Sequence, residues 1–341
     1  MAAVVVSRRF RPVMEMALKA LAVAACYYAA GRLGLLGRVG VEGVVVTPIW
    51  PPTGVAVASL LVFGVWVWPG IALGSFLVIT SLTTPELTSI VTVAGNTAAP
   101  VCSLLLLRAV GFRPDVSRLR DGTSLVFLGG LGAMLISATA GAAPQVWTGS
   151  LAPGDFLPVW LAWWVGDAMG VLLVTPLLLV LCRGTLLPSR QGVGRMPVGR
   201  WVEAGCLVAV ALLLVPFAVF SSPSMLFLIF PLLIWAALRF ELAGSMLCAL
   251  FASVLTTYAA HQDRGTFFDL SNIEVMTKLQ AFNGAAALTA LLLSALVTEQ
   301  RATRHSVQNA CNELAELLEH LAAGEDPTES SGRRPPEAPD G

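Results

Sequence analysis

Residues 160–176 read WLAWWVGDAMGVLLVTP and place one carboxylate, Asp167, inside a long apolar run. A segment this apolar suits the interior of a membrane, where the backbone N–H and C=O groups have to be satisfied within a helix. An ionisable side chain at that depth costs roughly 2.5 to 3.5 kcal/mol on insertion scales. The segment therefore predicts a membrane-spanning helix whose acid serves a specific purpose.

The composition of the whole chain is that of a membrane protein that crosses the bilayer several times. Of its 341 residues, 56% are hydrophobic and only 12% are charged, and the mean hydropathy is +0.77. Soluble domains carry about 25% charged residues. The formal net charge is zero, so nothing in the bulk charge favours nucleic acid as a partner. The six cysteines are scattered without paired spacing, which indicates neither a disulfide framework nor a metal site.

Apolar runs separated by proline, glycine or charged clusters predict the membrane helices. The predicted spans are residues 13–31, 53–66, 69–83, 87–108, 123–147, 157–182, 203–220, 224–239, 242–260 and 275–298. Several are short, so 53–83 and 224–260 are each either a hairpin of short helices or a partly re-entrant element. The expected fold is an all-α polytopic bundle with eight to ten transmembrane helices.

The distribution of basic residues predicts the orientation, because cytoplasmic loops collect lysine and arginine. Two loops on one side carry four arginines each, and Arg239 lies beside Glu241 at a third turn on that side. We expect Arg239 to be an interfacial anchor and to pair locally with Glu241. With residues 1–12 as a cytoplasmic N-terminal segment, both termini are predicted to be cytoplasmic in a multi-pass protein of the cell membrane.

The last membrane helix is expected to continue into the cytoplasm as an amphipathic helix over residues 299–323. Apolar residues follow a 4,3 alternation there: Leu293, Val297, Val307, Cys311, Leu314, Leu318 and Leu321. This spacing favours a parallel homodimeric coiled coil over 293–321, and a solitary amphipathic helix on a surface is the alternative. Residues 324–341 are rich in proline, glutamate, serine and glycine, which predicts a disordered tail.

Polar side chains on three predicted helices reach the same depth. Asp167, Asn96 and Asn283 each lie nine or ten residues from the outer end of their span. At 1.5 Å per residue, that is roughly 14 to 15 Å deep. Gln280 lies on the last helix, nearer the outer surface. We therefore predict an outward-opening pocket that these residues line and that binds a small ligand, a cation or a proton.

The predicted roof of this pocket consists of Trp160, Trp163 and Trp164 together with residues 50–54. Gly166 and Gly170 form a small-xxx-small pair, which lets helix backbones approach closely and favours a tight contact around Asp167.

Structural roles that involve no ligand stay open for the same residues. The polar residues could form a structural cluster in which Asp167 is protonated or paired with Lys278. The tryptophans could form an ordinary interfacial belt. Pro51 and Pro52 could simply begin a helix.

Six segments in order along the chain resemble one family. They are WPPTG at 50–54 (Trp50, Pro51, Pro52, Thr53, Gly54), VWPGIALGSFL at 67–77, AGN at 94–96, GFRP at 111–114, the run from Trp160, and FPLLIWAALRF at 230–240. The set resembles the membrane-associated sensor family, type one (MASE-one), over about residues 13–300. The resemblance implies an integral membrane sensory input domain.

Relatives in that family usually carry a cytoplasmic output module after the last span. Residues 301–341 fit none of the usual modules, which are diguanylate cyclases, phosphodiesterases, PAS domains and histidine kinases. The resemblance therefore implies the sensing role, together with a separate cytoplasmic partner such as a cyclase, a phosphodiesterase or a kinase.

The expected function is a membrane sensor that binds an unknown small ligand or ion and relays the signal through its last helix. A transporter that uses the same Asp167 site is the alternative, because paired short helices mark transport sites in repeated folds. An enzyme is not predicted, since the sequence has no phosphate-binding loop, nucleophile elbow or zinc-protease motif. No cofactor and no metal are predicted either.

Overall fold

A computed structural model describes residues 2–186, 198–221 and 224–322 of the chain. The contacts divide the chain into two units, Met1–Val297 and Thr298–Gly341. The predicted tail 324–341 lies outside the described residues, as does most of the arginine-containing loop around 187–197.

Ten helices make up most of the described chain. They are α1 Ala2–Gly34, α2 Pro51–Phe63, α3 Trp68–Thr80, α4 Leu87–Ala109, α5 Leu119–Ser124, α6 Ala133–Trp147, α7 Phe156–Leu186, α8 Val198–Phe220, α9 Ile229–His261 and α10 Asn272–Ala322. A π-helical segment, Leu125–Gly132, joins α5 to α6. Each predicted span overlaps a helix. In the described part of the chain, seven helical segments are long and apolar enough to cross a membrane, and two shorter apolar segments accompany them.

A small β-hairpin follows α1, and the all-α prediction missed it. Strand β1, Val39–Val41, pairs antiparallel with β2, Val44–Val46. The two residues between them, Glu42 and Gly43, both have positive φ angles of 49° and 78°. A two-residue turn of that kind matches the twist of paired strands. The sequence signal for this turn is a Glu-Gly pair between valines. The two strands have only three residues each, so they do not stand out as an apolar run of membrane-spanning length.

Helices α2 and α3 form a pair of short helices that both pack along α1. Each has 13 residues and is therefore about 20 Å long, shorter than the roughly 30 Å hydrocarbon core. Gly64, with φ at 86°, ends α2 and lets the chain turn back. Pro51 and Pro52 begin α2, where a missing N–H costs nothing because a helix start leaves those groups unpaired.

Helix α9 is broken in its middle at Glu241, where φ is 54° and ψ is −141°. A Cβ placed on Gly244 would lie 3.6 Å from the carbonyl oxygen of Ala236. Eight residues of straight helix span about 12 Å, so the chain folds back at this point. The segment is thus a hairpin of two short helices, one of the two arrangements that the sequence left open for residues 224–260.

Arg239 lies next to this break and forms an ion pair with Glu203 of α8, with Nε 3.0 Å from Oε2. The sequence had placed its partner at Glu241. The fold-back brings α8 alongside, and a partner on another helix could not be read from spacing along the chain.

A close backbone contact joins the start of α2 to α7. A Cβ on Gly54 would overlap the carbonyl oxygen of Gly170, and a Cβ on Gly170 would overlap that of Trp50. Gly166 meets the carbonyl oxygen of Thr47 in the same way. The two small residues on α7 therefore let residues 47–54 lie directly on its backbone, as such pairs do in membrane helices.

Three hydrogen bonds hold this contact. The Trp50 amide donates to the Gly166 carbonyl at 2.9 Å, and the Thr53 hydroxyl donates to the Asp167 carbonyl at 2.9 Å. The Thr175 hydroxyl donates to the Gly54 carbonyl at 3.1 Å. The WPPTG motif therefore fixes the N-terminus of α2 on the part of α7 that carries Asp167.

The second unit consists, in its described part, of the end of α10. Val307, Leu314 and Leu318 are exposed there, whereas Val297 is buried within the first unit. The side chain of Leu321 lies outside the described residues. A coiled coil over 293–321 stays a prediction, and an unpaired amphipathic helix remains its alternative.

We expect Gly170→Ala to lower the midpoint of thermal unfolding in detergent, because an added methyl group has no room against the Trp50 carbonyl. Overpacking of this kind costs typically about 1 to 3 kcal/mol. Gly205→Ala on α8 is the matched control, since a Cβ there meets nothing within 4 Å. It should leave the midpoint unchanged or raise it, and equal effects of the two variants would contradict the close contact.

Candidate functional site

A cavity of about 120 Å³ lies beside Asp167, between α3, α4, α7 and the β-hairpin. Its lining residues are Leu35, Val45, Val46, Thr47, Trp50, Val78, Ile79, Leu82, Thr92, Asn96, Trp163, Gly166 and Asp167. Among these residues, Asp167 alone is ionisable. The cavity therefore combines one carboxylate with a mostly apolar wall.

Asp167 is 4% exposed and lies in the first half of α7. Ser137 of α6 is a polar neighbour of its carboxylate, and the phenol of Tyr27 on α1 is near enough to interact with it electrostatically. Within the described chain, no lysine, arginine or histidine forms an ion pair with it. A buried carboxylate without a cationic partner is expensive, which makes Asp167 the chemical centre of the site.

Lys278 does not pair with Asp167, although the sequence allowed that pair. Its Nζ donates to the carbonyl oxygen of Thr266 at 2.7 Å and to the hydroxyl of the same residue. It also lies 5.4 Å from the ring centroid of Phe267. Lys278 therefore ties the start of α10 to the preceding turn, Gly265–Phe267.

Asn96 of α4 lines the cavity and connects three helices through its side-chain amide. Its Nδ2 donates to the hydroxyl of Ser75 on α3 at 3.0 Å, and its Oδ1 accepts a hydrogen bond from Ser137 on α6 at 2.9 Å. All three side chains are buried. Hydrogen bonds between buried side chains in a membrane fix the relative positions of the helices that carry them.

The buried hydroxyl of Tyr27 adds α1 to this group. Its polar neighbours are Ser75, Trp50 and Asp167, but it forms no hydrogen bond within the described chain. We call Tyr27, Ser75, Asn96, Ser137 and Asp167 the polar cluster. It draws one side chain from each of α1, α3, α4, α6 and α7.

Sequence reasoning missed Tyr27, Ser75 and Ser137. Isolated hydroxyl groups in apolar runs are common in membrane helices, where they often bond to their own backbone. Thr92 does so, donating to the carbonyl oxygen of Thr88 at 3.1 Å. No local feature distinguishes that behaviour from a contact with another helix, so only the packing identifies Ser75 and Ser137.

Of the three tryptophans predicted to roof the pocket, only Trp163 lines the cavity. Trp160 donates its indole N–H to the Thr139 hydroxyl at 3.0 Å, and Trp164 donates to the Leu131 carbonyl at 2.7 Å. The rings of Trp160 and Trp164 stack on each other with centroids 5.7 Å apart. These two rings fasten α7 to α6 and to the π-helical segment instead.

Asn283 and Gln280 lie on α10, and neither is among the residues that line this cavity. Gln280 donates to the Ala162 carbonyl of α7 at 3.0 Å. Asn283 is fully buried, and neither atom of its amide is hydrogen-bonded within the described chain.

Asn283 and Gln280 do not line the cavity because α10 contacts a different face of α7. Ala162 binds Gln280, and Met169 lies 4.0 Å from a Cβ placed on Gly284. At about 100° per residue, Ala162 and Met169 point some 140° to 160° away from Asp167 around the helix. Asn283 has the same predicted depth as Asp167, but α10 packs on the side of α7 away from the cavity. Equal depth therefore does not bring the two side chains together.

The β-hairpin contributes part of the apolar wall of the cavity. Val45 and Val46 line the cavity, while Val41 and Val46 are buried in a cluster that includes Ala162 of α7 and Met276 of α10. The hairpin therefore lines the cavity and also belongs to a buried apolar cluster that contains Met276 of α10.

The chemistry available here is that of one carboxylate, one amide and several hydroxyls. Among the described residues, no three or more histidine, cysteine, aspartate or glutamate side chains come together as a metal site would require.

Comparison with known proteins gives one match. The model of the family MASE1 matches residues 20–301, which include every residue that lines the cavity. No curated protein matches the chain, and no solved structure matches it.

We expect Asn96→Leu to destabilise the protein, because it removes two interhelical hydrogen bonds and leaves two buried hydroxyls without their partner. The loss should be on the order of 1 to 3 kcal/mol, measured by thermal unfolding in detergent. Thr92→Val on the same helix is the control, since its hydroxyl bonds only to its own backbone. If both variants unfold alike, Asn96 does not hold the helices together.

Proposed function

Because the chain belongs to the MASE1 family of membrane-associated sensory domains, we propose that it binds a small ligand or ion in the Asp167 cavity and reports the occupancy of that cavity. The protein is a multi-pass membrane protein, and the family supplies its sensory role. The ligand site and the relay are our proposal, which assigns no catalytic step to the chain.

The observation that carries the proposal is a buried carboxylate, facing a cavity, that has no cationic partner in the described chain. A fold under no functional constraint would gain stability by replacing Asp167 with an apolar residue, because an unpaired acid at membrane depth costs several kcal/mol. Binding of a partner from outside would offset that cost.

We propose ten membrane passes, with both termini in the cytoplasm and the protein in the cell membrane. The short helices α2 and α3 and the break in α9 support this count. In this arrangement residues 1–12 precede a membrane domain over 13–298, and a cytoplasmic helix over 299–323 precedes the tail. The cavity would then open toward the outside.

The relay is proposed to pass through α10, which contacts the surroundings of the cavity at two points. Gln280 binds the Ala162 carbonyl, about one and a half turns before Asp167 on α7, and Met276 belongs to the same buried apolar cluster as Val41 and Val46 of the β-hairpin. A ligand can shift this packing only if it binds two arrangements with different affinity.

The proposed receiver of the signal is a separate cytoplasmic cyclase, phosphodiesterase or kinase, engaged by a homodimer paired through α10. Because Val297 is buried within the first unit, pairing would use the exposed stripe Val307, Cys311, Leu314 and Leu318.

In membranes, a variant that retains Cys311 as its sole cysteine should form a disulfide-linked dimer on mild oxidation. Asn309→Cys, placed on the opposite side of the helix in a Cys311→Ser background, should crosslink much less. Asp167→Asn should change the Cys311 yield by roughly twofold or more if the cavity is coupled to the helix.

A substitution at Gln280 tests the relay through α10. Replacing Gln280 with Leu should abolish the effect of Asp167→Asn on crosslinking. If Cys311 and Asn309→Cys crosslink equally, the coiled coil is wrong. If Cys311 crosslinks but ignores changes at Asp167 and Gln280, the relay is wrong.

Transport through the same site is the second candidate, favoured by the broken α9 and the short pair α2 and α3, which resemble interrupted transporter helices. In proteoliposomes, a transporter would take up radiolabelled sodium or methylammonium, lose that uptake with Asp167→Asn, and keep it after deletion of residues 300–341. A sensor should show no uptake that depends on Asp167.

A further inference from the structure

We infer that the Asp167 cavity selects a small organic monocation of the alkylammonium class. This inference rests on the proposed sensory function and names the ligand chemistry of its site.

Charge is the first reason. Asp167 is the ionisable residue of the lining, and no lysine, arginine or histidine joins it there. An anion would be repelled by the carboxylate, and a neutral guest would leave its charge unpaired in an apolar environment. A guest with one positive charge neutralises the site.

The number of oxygen ligands argues against a bare metal ion. Apart from the Asp167 carboxylate, the lining offers the side-chain oxygens of Thr47, Thr92 and Asn96. The Asn96 oxygen already accepts from Ser137, and the Thr92 hydroxyl is bonded to its own helix. Hard cations such as Ca²⁺ and Mg²⁺ prefer about six or more oxygen ligands, so this wall of mostly carbon suits them poorly.

Aromatic side chains favour an alkylammonium guest. Trp50 and Trp163 line the cavity from two different elements, the start of α2 and α7. The indole ring attracts cations through its quadrupole, by about 2 kcal/mol or more where water is excluded. Rings of this kind together with one carboxylate can hold the charge of an alkylated amine and the apolar groups around it.

The size of the cavity sets the size of the guest. A single water molecule needs roughly 10 to 15 Å³ of such space, so a cavity of about 120 Å³ admits a guest larger than one water molecule but limits it to a small molecule. Methylammonium, tetramethylammonium and choline fall within this limit.

The polar and the apolar lining residues come from different elements. Asp167 of α7 and Asn96 of α4 belong to the polar cluster, whereas Val45 and Val46 of the hairpin and Ile79 at the end of α3 present hydrocarbon. The ammonium group would face Asp167, and its alkyl groups would press against β2. Occupancy would therefore act on the hairpin, whose Val41 and Val46 share a buried apolar cluster with Met276 of α10.

The test compares choline with 3,3-dimethyl-1-butanol, a neutral molecule of the same shape, on the full-length protein in nanodiscs. Binding is measured by displacement of radiolabelled choline and by the shift of the unfolding midpoint. We expect saturable choline binding and binding of the neutral molecule that is at least about tenfold weaker, since the cation alone pairs with the carboxylate.

Variants separate the contributions. Asp167→Asn keeps the shape of the side chain and should weaken choline binding by about tenfold or more, and Trp163→Leu should weaken it as well. Asn283→Ala, a buried amide on α10 outside this cavity, should bind choline as the unchanged protein does. If Asp167→Asn fails to fold, the comparison of choline with its neutral counterpart on the unchanged protein still decides the question.

Three results would overturn the cation class. These are equal binding of choline and the neutral molecule, binding of sodium or potassium alone, and no binding of methylammonium, tetramethylammonium or choline. Coupling of Asp167 to Cys311 crosslinking tests the sensory function separately, so the ligand class and the function can fail independently.

Discussion

The contact between the start of α2 and the middle of α7 determines where the other parts of the site can lie. Gly54 and Gly170 let two backbones meet without intervening side chains, and three hydrogen bonds hold residues 50–54 in place. The Thr53 hydroxyl lies 2.9 Å from the main-chain carbonyl oxygen of Asp167, so the start of α2 is placed beside the turn of α7 that carries the acid. Trp50 is thereby held at the wall of the cavity.

Around this contact, the polar cluster links helices that the hydrophobic effect alone would not orient. Lipid tails are as apolar as leucine, so the rotation of membrane helices is set by small residues and polar contacts. Asn96 serves α3 and α6 at once, and Tyr27 brings α1 to the same point. In the described chain, the Tyr27 hydroxyl has no hydrogen-bond partner and Asp167 has no cationic partner. Both groups can therefore make a further polar contact.

The opposite face of α7 contacts α10, so the two faces of this helix meet different parts of the fold. Asp167 faces the cavity, while Ala162 and Met169 face the last helix. In the proposed relay, a change at the cavity would reach α10 by movement of α7 or through the β-hairpin. This division explains why Asn283, at the same predicted depth as Asp167, does not share its cavity.

The sequence by itself determined the membrane class, the positions of the helices to within a few residues over most spans, the family, and Asp167 and Asn96 as central polar residues. Length and hydropathy are sufficient for the class and the spans, because the thickness of a bilayer limits every span in the same way. The family follows instead from six motifs in order along the chain, and the two polar residues from their depth within their spans. The rotation of each helix about its axis needs the packing of its neighbours, which spacing along one chain does not encode. Only the tertiary structure therefore decided that Trp163 lines the cavity while Trp160 and Trp164 do not, that Ser75 and Ser137 complete the polar cluster, and that Gln280 joins α10 to α7.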